Sequence, residues 1–312
     1  MSDHVVDPVD ERRHTPDPDG LWNESYYADF VQADGSWGGW LRLGLYPNRQ
    51  VAWWTTWIVG PGRDGVCSVN YTVPVPAGDG LVAEDADTRI EIDLVDPLRA
   101  FRLAASAPAE VYGKPEAVYD GEAGKPTTLE VDLTWRTDGS PYHYELTTRY
   151  EIPCLVSGTV RIGDEVLTAD GHGQRDHSWG VRDWWAFGWC WSSGRLNDDG
   201  TRVHLADIRM PGFPVAFGYV QHPDGATVDP VERLAVTEDL GAHGFPDSAR
   251  IEIAGGSNDI GIAVSPLAFG PVLLVDDEGG RTSRFPRALV RYVADDGRAG
   301  HGWIEWNQPD PA

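Results

Sequence analysis

The sequence predicts an all-β protein, a sandwich or a barrel, whose length fits two halves. The chain of 312 residues contains many short runs rich in aromatic and β-branched residues. These runs recur at roughly 8–12-residue spacing between turn sequences, which is typical of a sandwich or barrel. No segment shows a long helical period of hydrophobic residues. The length suits about two domains.

The first half contains nine predicted strands. Turn sequences such as Asp-Gly-Ser, Tyr-Pro-Asn-Arg and Gly-Pro-Gly-Arg separate the first of them. The segment 40–45 partly alternates between apolar and polar residues, as a half-buried strand does. The predicted strands are 24–31, 37–45, 51–59, 66–75, 89–94, 100–105, 128–136, 142–151 and 155–161.

The second half repeats this texture with nine further predicted strands, and the halves join within 155–175. We place the N-terminal half at 21–165 and the C-terminal half at 166–312. Residues 1–20 are polar and rich in Asp and Pro, so we expect a disordered leader there. The predicted strands are 184–192, 202–209, 215–222, 232–236, 249–254, 261–264, 272–275, 283–293 and 300–307.

The charge of the chain argues against nucleic-acid and membrane partners. Its 25 basic and 49 acidic residues give a net charge of −24, which repels phosphate backbones and anionic lipid headgroups. Cys67, Cys154 and Cys190 are widely spaced and form neither a disulfide framework nor a zinc signature. The chain has no apolar stretch typical of a signal peptide or a membrane span. We therefore expect a cytoplasmic protein without membrane insertion.

Tryptophan is the unusual component of the sequence, with fourteen residues against eight Phe and two Met. Such large, rigid side chains either brace a barrel interior or line an apolar cavity. Five of them fall within 179–191, next to a segment, 171–185, that interleaves titratable groups with glycines and aromatics. This mixture predicts a charged cluster at an aromatic-lined cavity, where burial shifts pKa values. The alternative is an Arg–Asp network that holds the two halves together.

The segment Arg175-Asp176-His177-Ser178-Trp179-Gly180 resembles the Asp-His-x-Trp-Gly signature of the AttH-like and carotenoid 1,2-hydratase (hydroxyneurosporene synthase) superfamily. The segments 22–27, 44–48 and 302–307 resemble a largely uncharacterised branch of that superfamily. The resemblance implies an all-β fold of two lipocalin-like (calycin-type) antiparallel β-barrel halves packed together. It also implies that Asp176 matches the cavity aspartate that acts as the acid in the hydratases.

The chemistry of these residues can be argued directly. Hydration of an alkene or cyclisation of a polyene starts with proton delivery to carbon, which needs a neutral carboxylic acid in a dry cavity. Burial among indoles raises the pKa of a carboxyl group, so Asp176 is the candidate acid. His177 is its candidate partner and is the second predicted catalytic residue. Because neighbours in a strand point to opposite faces, Asp176 should share a face with Ser178, and Arg175 with His177.

The predicted substrate-binding residues combine aromatic and charged side chains. Glu305 and Trp303 share one face of the last predicted strand. That face either completes the cavity, with Glu305 as a second carboxyl group, or forms a satisfied polar ladder in the interior. Pairing of Arg175 with Asp176 would instead keep that aspartate ionised and structural. We predict no metal site, because His172, Asp176, His177 and His204 lack clean ligand spacing. The predicted substrate-binding residues are Arg175, Trp179, Trp184, Trp185, Trp303 and Glu305.

Two hypotheses of function follow. The first is a cofactor-independent enzyme, of lyase or isomerase type, acting on an apolar terpenoid- or polyketide-like molecule. Its reaction would be hydration, dehydration, isomerisation or cyclisation. The second is a non-catalytic binder or carrier of small apolar ligands, in which the charged cluster only braces the halves. The expected partner is a small apolar organic ligand, and a homodimer is compatible with the sequence.

Overall fold

The computed structural model describes residues 6–213, 215–255, 259–276 and 280–310. Over these residues it is an all-β protein with twenty-two strands and four short 3-10 helices. The 3-10 helices are Pro8–Glu11, Pro47–Arg49, Pro115–Val118 and Ala242–Gly244. Among the described residues, no helix has the length and apolar character needed to span a bilayer.

Eleven strands form the first sheet. Its hydrogen-bonded order is β4-β3-β2-β1-β11-β10-β8-β7-β6-β5, β9 pairs with β10, and an additional pairing of β4 with β7 closes the sheet into a barrel. These strands are β1 (Trp22–Gln32), β2 (Gly38–Tyr46), β3 (Val51–Val59), β4 (Gly65–Pro74), β5 (Val82–Glu84), β6 (Arg89–Asp96), β7 (Ala100–Tyr112), β8 (Lys125–Thr137), β9 (Tyr142–His143), β10 (Arg149–Ile162) and β11 (Glu165–Val181).

The second half follows the same plan, since its first strand also pairs with its last. The order is β15-β14-β13-β12-β22-β21-β18-β17-β16, with β20 pairing β19 and β22. These strands are β12 (Gly188–Leu196), β13 (Arg202–Arg209), β14 (Val215–Gln221), β15 (Val228–Pro230), β16 (Arg233–Leu240), β17 (Pro246–Ala254), β18 (Ile260–Phe269), β19 (Val272–Val275), β20 (Thr282–Phe285), β21 (Arg287–Ala294) and β22 (Ala299–Pro309).

The buried apolar side chains form three hydrophobic cores. One core fills the first half, a second fills the second half, and a third lies between them. Alternation along each strand assigns its residues to these cores, as Tyr26 packs inside the first half and Tyr27 packs in the core between the halves. The core between the halves contains Trp40, Trp57, Trp184, Trp185, Trp189, Trp191 and Trp303. Many of the tryptophans of the sequence therefore pack between the two halves.

The two-half all-β prediction is confirmed, but the boundary between the halves differs from the expected one. β11 belongs wholly to the first sheet, where it pairs with both β1 and β10. The chain therefore crosses to the second half after Val181 rather than at 165/166. Two predicted strands are also interrupted: 142–151 is divided into β9 and β10, and 283–293 into β20 and β21 at Pro286, which has no N–H to donate.

Residues 6–20 are not the disordered leader that their composition suggested. Glu11 is 1% exposed, and its carboxylate accepts hydrogen bonds from Arg175 (2.5 Å) and from the Tyr150 hydroxyl (2.8 Å). Arg175 is itself buried and needs an anionic partner, which this segment supplies. Residues 1–5 of the predicted leader lie outside the described residues.

We expect Glu11→Gln to lower the free energy of unfolding by about 3–5 kcal/mol, because it leaves the buried Arg175 charge without its partner. Burial raises the pKa of Glu11, but the charge and hydrogen bond of Arg175, with hydrogen bonds from Leu98 and Tyr150, hold it below its ordinary value. The stabilisation is therefore present at neutral pH and is lost as the pH falls through the folded-state pKa. Urea unfolding of both proteins measures the difference.

The matched control is Glu130→Gln, since Glu130 pairs with Arg161 at 3.4 Å on the exposed surface. We expect that variant to change the free energy of unfolding by less than about 0.5 kcal/mol. Equal effects of the two substitutions would contradict a structural role for the buried pair.

Candidate active site

A cavity of about 700 Å³ lies between the two halves. It is lined by strands β1–β4, β10 and β11 of the first half and by β12–β14 and β19–β22 of the second. The segment 182–187, which connects the halves, also contributes to the lining. The volume suits a small organic molecule.

Directly opposed residues in neighbouring strands form a row across the first sheet, on the face outside its barrel. The row crosses β3, β2, β1, β11 and β10, and its strand spacing follows from sheet geometry. Four of its members line the cavity, and Glu151 lies buried at its end. In order, the row is Thr55, Arg42, Tyr27, Asp176 and Glu151.

A corresponding row crosses the second sheet, through β14, β13, β12, β22 and β21, and all its members line the cavity. Its carboxylate, Glu305, lies on the last strand of its half, as Asp176 does in the first half. The two halves therefore present carboxylates from equivalent strands to one cavity. In order, the second row is Phe217, Ala206, Trp191, Glu305 and Arg287.

Asp176 and Glu151 oppose each other directly across β10 and β11, and Arg149 lies between their carboxylates. Arg149 Nη2 lies 2.8 Å from Asp176 Oδ2 and 2.7 Å from Glu151 Oε1. Glu151 also accepts hydrogen bonds from Trp191 Nε1 and Gln174 Nε2, both at 3.0 Å. Glu151 therefore accepts more hydrogen bonds from the protein than Asp176 does.

This asymmetry decides which carboxyl group holds a proton. Burial raises the pKa of Glu151, but Arg149, His204 and its hydrogen bonds hold it below its ordinary value. Burial raises the pKa of Asp176 to about 7, and the Glu151 charge adds to the rise, against the opposing charges of Arg149, Arg182 and Arg42. Asp176 is therefore a carboxyl group that exchanges a proton near neutral pH.

The second carboxylate is held by neighbours of its own half. Glu305 accepts a hydrogen bond from Trp189 Nε1 at 2.9 Å and contacts the guanidinium of Arg287. Arg287 in turn stacks over Trp40 and Tyr27, with its Cζ 4.1 and 4.8 Å from their ring centroids. Arg287 of the second half therefore packs on aromatic rings of the first half.

The remaining wall of the cavity is largely aromatic. Its entrance carries apolar side chains that are unusually exposed, including Leu146 at 71% and Phe213 at 64%. An apolar molecule can therefore contact apolar surface both at the entrance and inside. The aromatic lining residues include Trp40, Trp53, Trp184, Phe187, Trp189, Trp191, Phe217 and Phe285.

The structure brings together three of the residues predicted from the sequence. Asp176, Trp184 and Glu305 line the cavity. Trp185 and Trp303 are buried between the halves without lining it. Their indole N–H groups donate to the carbonyl oxygens of Leu274 (3.3 Å) and Phe30 (3.0 Å).

Arg175, His177 and Trp179 do not line the cavity. The alternation along β11 turns Arg175 and His177 away from Asp176 into the first half, as expected from their positions. His177 therefore lies on the opposite face of the strand and cannot orient Asp176 directly, and Arg175 pairs with Glu11 rather than Asp176. Trp179 stacks on His14, with ring centroids 3.7 Å apart.

His14, Glu24 and His177 form the one cluster of metal-ligand type among the described residues. Glu24 Oε1 lies 2.7 Å from His14 Nδ1 and 3.0 Å from His177 Nε2, and the backbone N–H of His14 also donates to the carboxylate. Asp10 supplies a carbonyl oxygen 2.7 Å from His177 Nδ1. These groups satisfy one another and attach the segment 6–20 to the first half.

Three of the arginines that line the cavity were not predicted from the sequence. Arg42, Arg149 and Arg287 each line the cavity, and only Arg182 lay in the segment that the sequence singled out. The alternating segment 40–45 places Arg42 on the same face as Trp40, which was an available signal. The positions of Arg149 and Arg287 depend on strand register and on the approach of the two halves.

The chain is similar to one protein family and to several solved structures. The model of a family described as Domain of unknown function (DUF7064) matches residues 7–310. No curated protein matches the chain. Among solved structures, an AttH-like protein of Nitrosomonas europaea (NE1406) is 15% identical, with a TM-score of 0.65 and coverage of 98% of each chain.

Two further solved structures share the fold. Kievitone hydratase from Nectria haematococca is 12% identical, with a TM-score of 0.61 and coverage of 98% of this chain and 94% of that one. CghA is 10% identical, with a TM-score of 0.58 and coverage of 97% and 95%. These likenesses establish the two-half all-β fold, which this chain shares with an AttH-like protein, as the resemblance in its sequence implied.

We expect Asp176→Asn to gain stability relative to the wild type as the pH rises from about 4 to about 8. In the wild type, the folded state with its raised pKa binds a proton that the unfolded chain has released, so its stability falls with rising pH in this window. The amide does not titrate and removes the contribution of Asp176 to this slope. Urea unfolding at several pH values measures it, and parallel pH profiles would contradict a raised Asp176 pKa.

Proposed function

The chain belongs to the family described as Domain of unknown function (DUF7064), and we propose that it is a cofactor-independent enzyme of lyase or isomerase type. Its substrate is a largely apolar, terpenoid- or polyketide-like small molecule bound in the cavity between the halves. Its chemistry is hydration, dehydration, isomerisation or cyclisation, with Asp176 as the proton donor. The observation that carries this proposal is a buried carboxyl group with a pKa of about 7 that faces an aromatic cavity.

A general acid is most effective when its pKa lies near the working pH, and Asp176 meets this condition while Glu151 does not. The proton of Asp176 passes to a substrate alkene carbon, so that a C–H bond forms, the π bond breaks and a cation develops on the neighbouring carbon. The resulting Asp176 carboxylate already faces the Arg149 guanidinium at 2.8 Å. This ion pair stabilises the enzyme after it has given up the proton.

The cation is stabilised by the surrounding indole faces, each worth about 2 kcal/mol when desolvated. In a hydration, water then forms the C–O bond and returns a proton to Asp176. In a cyclisation, a second alkene attacks the cation, and loss of a proton to Asp176 ends the reaction. Either path restores the starting protonation state, and no electrons leave the substrate, so neither path needs a redox cofactor.

The fold supports the proposal without deciding between these reactions. One relative in fold is named as a hydratase, and water addition is one of the paths that Asp176 can start. Glu305 supplies a second carboxylate from the equivalent strand of the other half, where Arg287 and Trp189 hold it. We assign it to positioning the substrate or the water opposite Asp176.

The second candidate function is a carrier of apolar ligands. It is favoured by the exposed apolar entrance and by the ion pair of Asp176 with Arg149, which a structural role also explains. The two functions differ in one respect. An enzyme converts what it binds and depends on the Asp176 proton, whereas a carrier returns its ligand unchanged.

The test is a titration of intrinsic tryptophan fluorescence with terpenoid- and polyketide-like compounds, followed by product analysis for each compound that binds. We expect Asp176→Asn to bind these ligands within a few-fold of the wild type. We expect it to lose turnover by about 10²–10⁴-fold, because the amide cannot donate the proton. Wild-type turnover should also fall as the pH rises above the Asp176 pKa.

The control is Asp132→Asn, since Asp132 is 54% exposed and pairs with Arg102 on the surface. It should leave both binding and turnover unchanged. Full turnover by Asp176→Asn would exclude Asp176 as the acid. Binding without conversion in the wild type, over the whole panel, would favour the carrier.

A further inference from the structure

The arginines that line the cavity differ in whether a carboxylate contacts them. Four arginines line it, and two of them have carboxylate partners in its wall: Arg149 with Asp176 and Arg287 with Glu305. The third lining carboxylate, Asp183, pairs with Arg281 at 2.9 Å. Two arginines of the cavity wall therefore remain without a carboxylate in direct contact, although the net charge of the chain is −24.

The two remaining arginines are Arg42 and Arg182. Among the described residues, no carboxylate lies within the 4.0 Å ion-pair distance of either guanidinium. The side-chain contact of Arg42 with Asn23 Oδ1 is to a neutral amide, at 3.3 Å. Both side chains therefore hold a positive charge in the cavity wall with no carboxylate of the described residues in direct contact, and the charge of Asp176 acts on them only from a longer distance.

Both guanidinium groups lie against one indole ring. Arg42 Cζ is 4.8 Å and Arg182 Cζ 5.3 Å from the Trp184 ring centroid. The Trp184 ring is itself held by a hydrogen bond from its Nε1 to the Tyr46 hydroxyl at 3.0 Å. A guanidinium that contacts an aromatic ring keeps its N–H donors for an acceptor such as a carboxylate.

Burial and neighbouring positive charges act against the charged form of Arg182. Burial lowers the pKa of Arg182 to about 10, and the charges of Arg149 and Arg42 contribute to that fall against the opposing charge of Asp176. Like charges close together in a partly desolvated wall favour any ligand that carries the opposite charge. The same two arginines also oppose the protonation of Asp176.

We propose that the substrate carries an anionic group, a carboxylate or an acidic enol, which Arg42 and Arg182 bind beside Trp184. This rests on the proposed function, because it describes the substrate of the same cavity. The apolar body of the molecule then lies against the aromatic wall, and its reacting carbon is presented to Asp176. Binding of the anion neutralises two charges that oppose protonation of Asp176, so the substrate itself favours the acid form of the enzyme.

The test uses 2-naphthoate and its neutral, nearly isosteric amide, 2-naphthamide, as probes of the full chain. We expect the wild type to bind 2-naphthoate at least ten-fold more tightly than 2-naphthamide in a tryptophan-fluorescence titration, with the preference falling as salt is added. Arg42→Gln and Arg182→Gln should each weaken 2-naphthoate binding about ten-fold and change 2-naphthamide binding less than two-fold. Arg161→Gln is the control, because Arg161 is an exposed surface residue.

Circular dichroism and thermal unfolding check that each variant folds, and Arg182→Lys gives a second variant that keeps the charge and loses the planar fork. It should retain part of the preference for the anion. Equal affinity of the wild type for both probes, or no measurable binding of 2-naphthoate, overturns the proposal. A preference for 2-naphthoate that persists in the Arg42→Gln, Arg182→Gln double variant also overturns the proposal.

The two proposals fail in different ways. If the wild type binds 2-naphthoate more tightly than 2-naphthamide and loses this preference without Arg42 and Arg182, but converts no compound of the panel, then the anion site is supported and the enzymatic function is wrong. If the wild type converts neutral compounds, Asp176→Asn loses that turnover and the two probes bind equally, then Asp176 is the acid and the proposed anion site is wrong. Asp176→Asn should keep the preference for 2-naphthoate.

Discussion

The alternation of side chains along the central strand pair β1–β11 governs the rest of the structure. One face of this pair belongs to the core of the first half and the other faces the cavity between the halves. Arg175 and His177 consequently stabilise the N-terminal segment, while Asp176 faces the ligand space. A shift of one residue in register would exchange these roles, so the pairing of β11 on both sides is what keeps the acid in the cavity.

The chemistry of the site then depends on how two carboxylates share one arginine. Glu151 has additional donors from Trp191 and Gln174, and it keeps its charge. Asp176 has Arg149 and faces the negative charge of Glu151, so burial prevails and raises its pKa. The tryptophans have two roles, because they supply donors such as Trp191 Nε1 and also form much of the apolar wall of the cavity.

Local patterns in the sequence predicted the all-β fold, the division into two halves, and the separation of Asp176 from Arg175 by strand alternation. They did not predict the row that joins Arg42, Tyr27, Asp176 and Glu151, because register between distant strands is fixed by tertiary packing. The N-terminal segment was misjudged from its polar composition, since no local pattern reveals that the buried Arg175 requires Glu11. Trp185 and Trp303 resemble ligand-binding residues in sequence, but their indoles are satisfied by backbone carbonyls within the junction.

The central claim is that Asp176 holds a proton in the folded protein near neutral pH. Infrared difference spectroscopy of the wild type against Asp176→Asn tests it directly, because a protonated carboxyl group has a carbonyl band distinct from that of a carboxylate. The account predicts a protonated-carboxyl band at pH 6 that is absent from the variant and disappears as the pH rises through about 7. A carboxylate band that persists down to about pH 4 would show that Arg149 keeps Asp176 ionised, and would contradict its assignment as the acid.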